Sequence, residues 1–221
     1  MRTKEENLVE IPVGKVRLEG NIAVPKGAEG VVLFAHGTGS SRFSPRNRYV
    51  AEVLQKAGIA TLLMDLLTEE EERVDMVTAE LRFDIEMLAD RLIGATQWLK
   101  RNPETKSLSI GYFGASTGAG AALIAAAKYP DDVKAVVSRG GRPDLAMPYL
   151  PKVKAPTLLI VGGADEPVIG MNKEAMEELL SAKKLEIVPG ATHLFEEPGA
   201  LEKVAMLAAD WFSKYLKRRK K

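Results

Sequence analysis

The stretch Leu108-Ser109-Ile110-Gly111-Tyr112-Phe113-Gly114-Ala115-Ser116-Thr117-Gly118-Ala119-Gly120-Ala121-Ala122-Leu123 decides how the rest of the chain is read. An apolar, strand-like segment from Leu108 to Phe113 runs through a turn of small residues into an alanine-rich segment of helical composition. Gly114 and Gly118 flank Ser116 in the pattern Gly-x-Ser-x-Gly. Between a strand and a helix, such a turn pushes the serine hydroxyl out of the sheet, and the flanking glycines let it close without side-chain clashes. The helix starting behind the serine also favours negative charge developing there. Ser116 is therefore the candidate nucleophile.

Working outward, short apolar runs bounded by Gly and Pro alternate with segments of helical period, which predicts a largely parallel sheet covered by helices on both faces. Gly30 to Ala35 reads as a central strand ending in the loop His36-Gly37-Thr38-Gly39-Ser40-Ser41. Ser44 and Pro45 supply a cap and a first-turn proline for a helix to about Ala57, closed by Gly58, and Ile59 to Leu66 is the next strand. The acidic run Glu69 to Glu72 reads as a solvated loop. A long helix is expected from about Thr78 to Arg101, with Leu81, Ile85, Leu88, Leu92 and Ala95 on one buried stripe. Later strands are Leu108 to Phe113, Val133 to Ser138, Pro156 to Val161 and Leu185 to Val188. Asn7 to Pro12 and Lys15 to Val24 form an antiparallel edge pair joined at Val13-Gly14.

The 221 residues suit one domain, 1–221, with no repeat or linker. The basic end Lys217-Arg218-Arg219-Lys220-Lys221 is expected to oppose a helix dipole or to fray into solvent. With 31 Lys and Arg against 30 Asp and Glu, a net charge of +1 gives no field that would gather nucleic acid or an anionic membrane, so a small-molecule ligand is expected. No apolar run approaches the roughly 18 residues of a membrane span and the charged opening lacks a signal-peptide core, so the expected location is cytoplasmic. The absence of cysteine excludes disulfides and a thiolate nucleophile.

A serine hydroxyl needs a base within hydrogen-bond reach, and imidazole, with a pKa of about 6.5, suits that task. The chain has 2 histidines, His36 after an early strand and His193 after the last one. The chain order Ser, then Asp or Glu, then His admits only His193. Asp165, in the loop after Leu158 to Gly162, is favoured as the carboxylate that orients it; Glu166 is adjacent, and Asp131, Asp132 and Asp144 precede the strand. The oxyanion donors would be the backbone amides of Thr38 and Thr117, with His36 shaping the loop. The glycine-rich loop lacks both a Walker-type lysine and a dinucleotide pattern, and neither a metal nor an organic cofactor is required.

These motifs, with Gly163-Ala164-Asp165-Glu166-Pro167-Val168 and Gly190-Ala191-Thr192-His193, resemble those of the dienelactone-hydrolase-like branch of the α/β-hydrolase superfamily from about Leu8 to Trp211. The similarity extends to small hydrolase domains sometimes joined to a phosphoribosyltransferase. The resemblance implies an α/β-hydrolase fold, a mostly parallel sheet of about eight strands with helices on both faces and no lid domain. Dienelactone hydrolases generally use cysteine where this chain has Ser116, which makes ordinary ester hydrolysis the expectation over lactone opening. Thioester or amide cleavage, or noncatalytic small-molecule binding on the same fold, are the rivals.

The connection from Ser138 to Pro156 is too short for a helical lid, which predicts an open site for short or compact esters. Candidate lining residues are Phe43, Met147, Tyr149 and Leu150. Arg42, Arg46, Arg82, Arg139 and Arg142 could recognise a carboxylate, with Arg139 and Arg142 best placed, beyond a central strand. The chain is expected as a monomer or homodimer.

Overall fold

Every residue of Gly30–Ala35 is buried although successive side chains point to opposite faces, so this strand is covered on both sides. In the computed structural model, which describes residues 6–217, it is β3 of an eight-stranded sheet. The other strands are β1 (Asn7–Val13), β2 (Val16–Ala23), β4 (Ala60–Met64), β5 (Ser109–Ala115), β6 (Val133–Arg139), β7 (Thr157–Gly162) and β8 (Lys183–Val188). Their order is β1-β2-β4-β3-β5-β6-β7-β8. β1 and β2 are antiparallel to their neighbours and form the edge, and the remaining pairs are parallel.

Among the described residues six α-helices lie between or after these strands: α1 (Pro45–Lys56), α2 (Glu69–Thr78), α3 (Ile85–Arg101), α4 (Thr117–Lys128), α5 (Glu166–Glu178) and α6 (Ala200–Leu216). On one face α1 and α6 bring Val50, Leu54, Val204 and Phe212 against Val32, Phe34, Phe113 and Val137. On the other, α3, α4 and α5 bring Leu88, Leu92, Ile124 and Ala175 against Leu33, Tyr112 and Val136. Burying each such large side chain contributes about 1.5–3 kcal/mol, so the two apolar layers hold the sheet rigidly between them. Among the described residues no helix is long and apolar enough to cross a membrane. Residues 218–221 of the basic end lie outside the described residues.

The sequence reading needs two corrections. The acidic run Glu69 to Glu72 is the first turn of α2 rather than a loop: the Glu71 amide donates to Thr68 Oγ1 at 3.1 Å, and the Thr68 amide to Glu71 Oε2 at 2.8 Å. This reciprocal cap, and carboxylates beside the positive end of the helix dipole, make the run helical. The long helix expected from Thr78 begins instead at Ile85. α2 stops at Ala79, which has φ 55°, a 3₁₀ turn spans Leu81–Phe83, and Asp84 caps α3 by accepting from the Met87 amide at 2.9 Å.

From β3 the chain crosses to β4 on one side, and β5 lies on the other. The strand order therefore reverses between β3 and β5, and ligands in open α/β sheets bind in the crevice beyond such a point. The loop after β3 and the turn after β5 meet there. Between β6 and β7, the segment Pro143–Lys152 is a 3₁₀ helix that sends Ala146 and Leu150 into the core, without an inserted lid.

Candidate active site

Ser116 ends the strand side of this crevice and caps α4, with φ 50° and ψ −124°. A positive φ in a non-glycine residue costs about 1–3 kcal/mol and persists only where its surroundings impose it. The Ser116 amide donates to the Arg139 carbonyl at 3.2 Å, and its own carbonyl accepts from the Ala119 and Arg142 amides at 3.1 and 3.0 Å. The flanking glycines permit the close approach. A Cβ at Gly114 would lie 2.4 Å from Ala119 Cα, and one at Gly118 would lie 2.3 Å from the Ala35 carbonyl oxygen.

His193 comes from the loop after β8, where Phe195, only 1% exposed and with φ 56°, joins the core layer that α1 and α6 form on the sheet. Asp165 follows β7 and starts α5, but its side chain makes no capping bond to that helix. Its Oδ2 lies 2.7 Å from His193 Nδ1, and His193 Nε2 lies 3.3 Å from Ser116 Oγ. With Nδ1–H donating to the carboxylate, Nε2 is left as the acceptor for the serine hydroxyl. Glu166, the sequence alternative, is exposed on the first turn of α5.

His36 is built differently. Its Nδ1 donates to the Gly37 carbonyl at 3.0 Å and its Nε2 accepts from the Leu66 amide at 3.1 Å. Burial lowers its pKa despite opposing contributions from the Gly37 carbonyl and the Asp65 and Glu72 charges, so it is a neutral brace tying the β3 and β4 loops together. The Thr38 amide is not free: it donates to Thr117 Oγ1 at 3.0 Å, and the two threonine hydroxyls lie 2.9 Å apart. The Thr117 amide is in the first turn of α4, where N–H groups have no intrahelical acceptor.

Beside Ser116 is a cavity of about 200 Å³, lined by Gly37, Thr38 and Thr117 on the loop side and by Leu66, Met76, Arg82 and Leu88 opposite. Its outer wall is α2 and the 3₁₀ turn, secured by Asp75. That buried carboxylate accepts from the Leu81 and Arg82 amides at 2.7 and 3.1 Å and from Arg82 Nε at 2.5 Å. Burial pushes the Asp75 pKa up, but the Arg82 and Leu81 hydrogen bonds outweigh it and hold it below the ordinary carboxylate value. Sequence reading missed this wall; the Thr68-Glu69-Glu70-Glu71 capping pattern was the available signal.

The predicted lining residues lie elsewhere. Met147 and Tyr149 pack against the core on the α3 and α4 side, and the Tyr149 hydroxyl donates to Glu86. Arg142 is forked onto Asp144 at 2.9 and 2.8 Å. Phe43 is 53% exposed under the Arg42 guanidinium, 4.3 Å from its ring, while Arg42 itself is bound by Asp65 and Glu19. Arg139 alone of the named arginines has no acidic partner among the described residues.

A reversed parallel sheet carrying a strained serine at its crevice defines a hydrolase of the α/β-hydrolase class. The chain belongs to the dienelactone hydrolase family, whose model matches residues 18–218. It is 65% identical to a dienelactone hydrolase from Anabaena variabilis of known crystal structure, with a TM-score of 0.96 over 98% of this chain and 100% of that one. Est1E from Butyrivibrio proteoclasticus has the same fold at 16% identity, with a TM-score of 0.79 over 94% of this chain and 98% of its own. Two Mycobacterium tuberculosis proteins, provisionally named phosphoribosyl transferases, are 59% identical over 94% of this chain. The chain spans about half of their length, 46%.

Proposed function

We propose that the chain is a serine hydrolase that cleaves small or compact carboxylic esters through an acyl-enzyme intermediate. The observation that carries this reading is the hydrogen-bonded line from Ser116 Oγ through His193 to Asp165, at 3.3 and 2.7 Å. His193 Nε2 takes the hydroxyl proton as Ser116 attacks the ester carbonyl, and Asp165 stabilises the imidazolium that results. The imidazolium returns its proton to the departing alkoxide. A water molecule, deprotonated by the same nitrogen, then releases the acid and restores Ser116.

The tetrahedral oxyanion is assigned to the Thr38 and Thr117 amides. For the Thr38 amide to serve, the substrate must exchange with Thr117 Oγ1, one hydrogen bond replacing another. A cavity of about 200 Å³ suits a compact acyl or alcohol group, because a small site offers a long chain little additional burial.

The Anabaena protein's description as a dienelactone hydrolase favours one further reading, a lactone as substrate, in which the departing alkoxide stays tethered to the acyl group. The transferase named for the mycobacterial relatives is outside the proposal, since this chain matches under half of their length.

The test is intact-mass analysis after exposure to a small fluorophosphonate, with peptide mapping and Ser116→Ala and His193→Ala controls. A single adduct on Ser116, lost in both variants, is expected. A folded protein that takes no adduct would overturn the mechanism.

A further inference from the structure

Arg139, the last residue of β6, is 7% exposed, and its side chain faces the α1 and α6 layer. Among the described residues its side chain makes one polar contact, a long one from Nη2 to Asn47 Oδ1 at 3.4 Å, and its Nε is buried with no acceptor. The charge that acts on it is another cation, Arg46, whose Nε is also buried without an acceptor among the described residues. Burial first, and then Arg46, push the Arg139 pKa down to about 10, so it still carries its charge at neutral pH.

A buried charge is ordinarily paired, because removing it from water is costly. Here the environment adds positive charge instead. Arg46 and Asn47 are in the first turn of α1, which contains no acidic residue and contributes about half a positive charge at its N-terminus. Among the described residues the one carboxylate paired with this group is Glu196, 3.0 Å from Arg46 Nη1. Counting Arg139, Arg46 and the helix end against Glu196 leaves an excess of about 1.5 positive charges.

The place is adjacent to the reacting centre. Arg139 pairs with Ala115 across the sheet, its carbonyl holds the Ser116 amide, and the next residue, Gly140, lies against the His193 ring.

We propose that Arg139 and Arg46, at the first turn of α1, bind a phosphoryl group, and that the ester cleaved at Ser116 carries one. A phosphoryl group has a charge of about −1.5 to −2 and three acceptor oxygens, matching both the charge excess and donors on two separate guanidiniums; a carboxylate offers one fork to one of them. The substrate class rests on the serine-hydrolase reading, whereas the binding of phosphate does not.

Binding is tested on the Ser116→Ala protein by titrating inorganic phosphate and phenyl phosphate, followed calorimetrically, against the same protein carrying Arg139→Met or Arg46→Gln. Saturable binding weakened roughly tenfold or more by each change is expected. The Arg139→Met protein should melt no lower than its parent, since a buried unpaired charge is removed. Phosphate affinity that survives both changes, a melting temperature that falls on Arg139→Met with affinity retained, or binding of acetate alone would each overturn the site.

Substrate class is tested on the otherwise unaltered chain by comparing kcat/KM for phenyl acetate and 4-acetoxyphenyl phosphate. The phosphorylated ester should be preferred at least tenfold, with the preference reduced in Arg139→Met. Phosphate binding without that preference would make this a site for free phosphate and overturn the substrate assignment. If Ser116 takes no fluorophosphonate while phosphate still binds through Arg139, the hydrolase reading fails and the anion site stands.

Discussion

Ser116 stands between two charged walls built on opposite rules. On the α2 side, cations and acids are matched: Arg82 is saturated by Asp75 and Arg42 by Asp65 and Glu19. On the α1 side, among the described residues, Arg139 has no acidic partner and Arg46 has one, on the outer rim. Matched charges fix a shape, since each partner satisfies the other and little potential is left over. Unmatched charges at the same depth keep a potential that a ligand can neutralise, at a cost in stability that folded proteins commonly accept at functional sites.

The largest expected effect tests the line that both walls serve. Asp165→Asn should lower kcat by about 10⁴ by allowing the wrong histidine tautomer, while Glu166→Gln stays within about twofold. Steady-state kinetics on a neutral ester checks both, and equal losses would move the carboxylate role away from Asp165.

A smaller effect is expected at the seam. Thr117→Val removes the acceptor that holds the Thr38 amide, so a carbonyl oxygen no longer competes for it. The value of kcat/KM should rise by up to about tenfold, the net worth of one hydrogen bond. A fall instead would assign the Thr117 hydroxyl a direct role toward the oxyanion.

The matched wall is then tested on its own. Thr68→Ala should destabilise α2 by about 1 kcal/mol through loss of the cap. Hydrogen exchange should speed up over residues 69–78 while α3 amides keep their protection.

Acid should act on the same wall. The folded pKa of Asp75 lies below its ordinary 3.8, so its stabilising contribution is complete above 3.8 and is lost as pH falls further, through the folded value. Proteolysis of α2 should therefore increase below that point, and Asp75→Asn should make α2 sensitive at neutral pH as well. An unchanged pH profile in Asp75→Asn would show that another carboxylate controls the wall.

What was legible in the sequence follows the same division. Ser116 could be read because a strand, two glycines and an alanine-rich helix are all local, and Asp165 and His193 follow once chain order is imposed on a protein with 2 histidines. The central strands could be read because continuous apolar runs report burial on both faces. The acidic run of α2 could not be separated from a solvated loop by charge alone; its helicity depends on Thr68 three residues ahead of Glu71. Phe195 was missed because an isolated aromatic after a strand does not reveal that it anchors the histidine loop. Of five candidate arginines the sequence favoured Arg139 and Arg142 alike, and their three-dimensional partners separate Arg142, which Asp144 neutralises, from Arg139, which has no acidic partner among the described residues.

α2 also has a consequence for how such a protein is remodelled. Of its residues only Asp75 is buried, and the helix is bounded by a cap at Thr68 and a left-handed stop at Ala79. It contributes nothing to the two apolar layers that set the strand ends, yet it forms one side of the chamber beside Ser116. Residues 68–84 are therefore the segment to graft when the chamber is to be reshaped without disturbing the sheet that carries Ser116, Asp165 and His193.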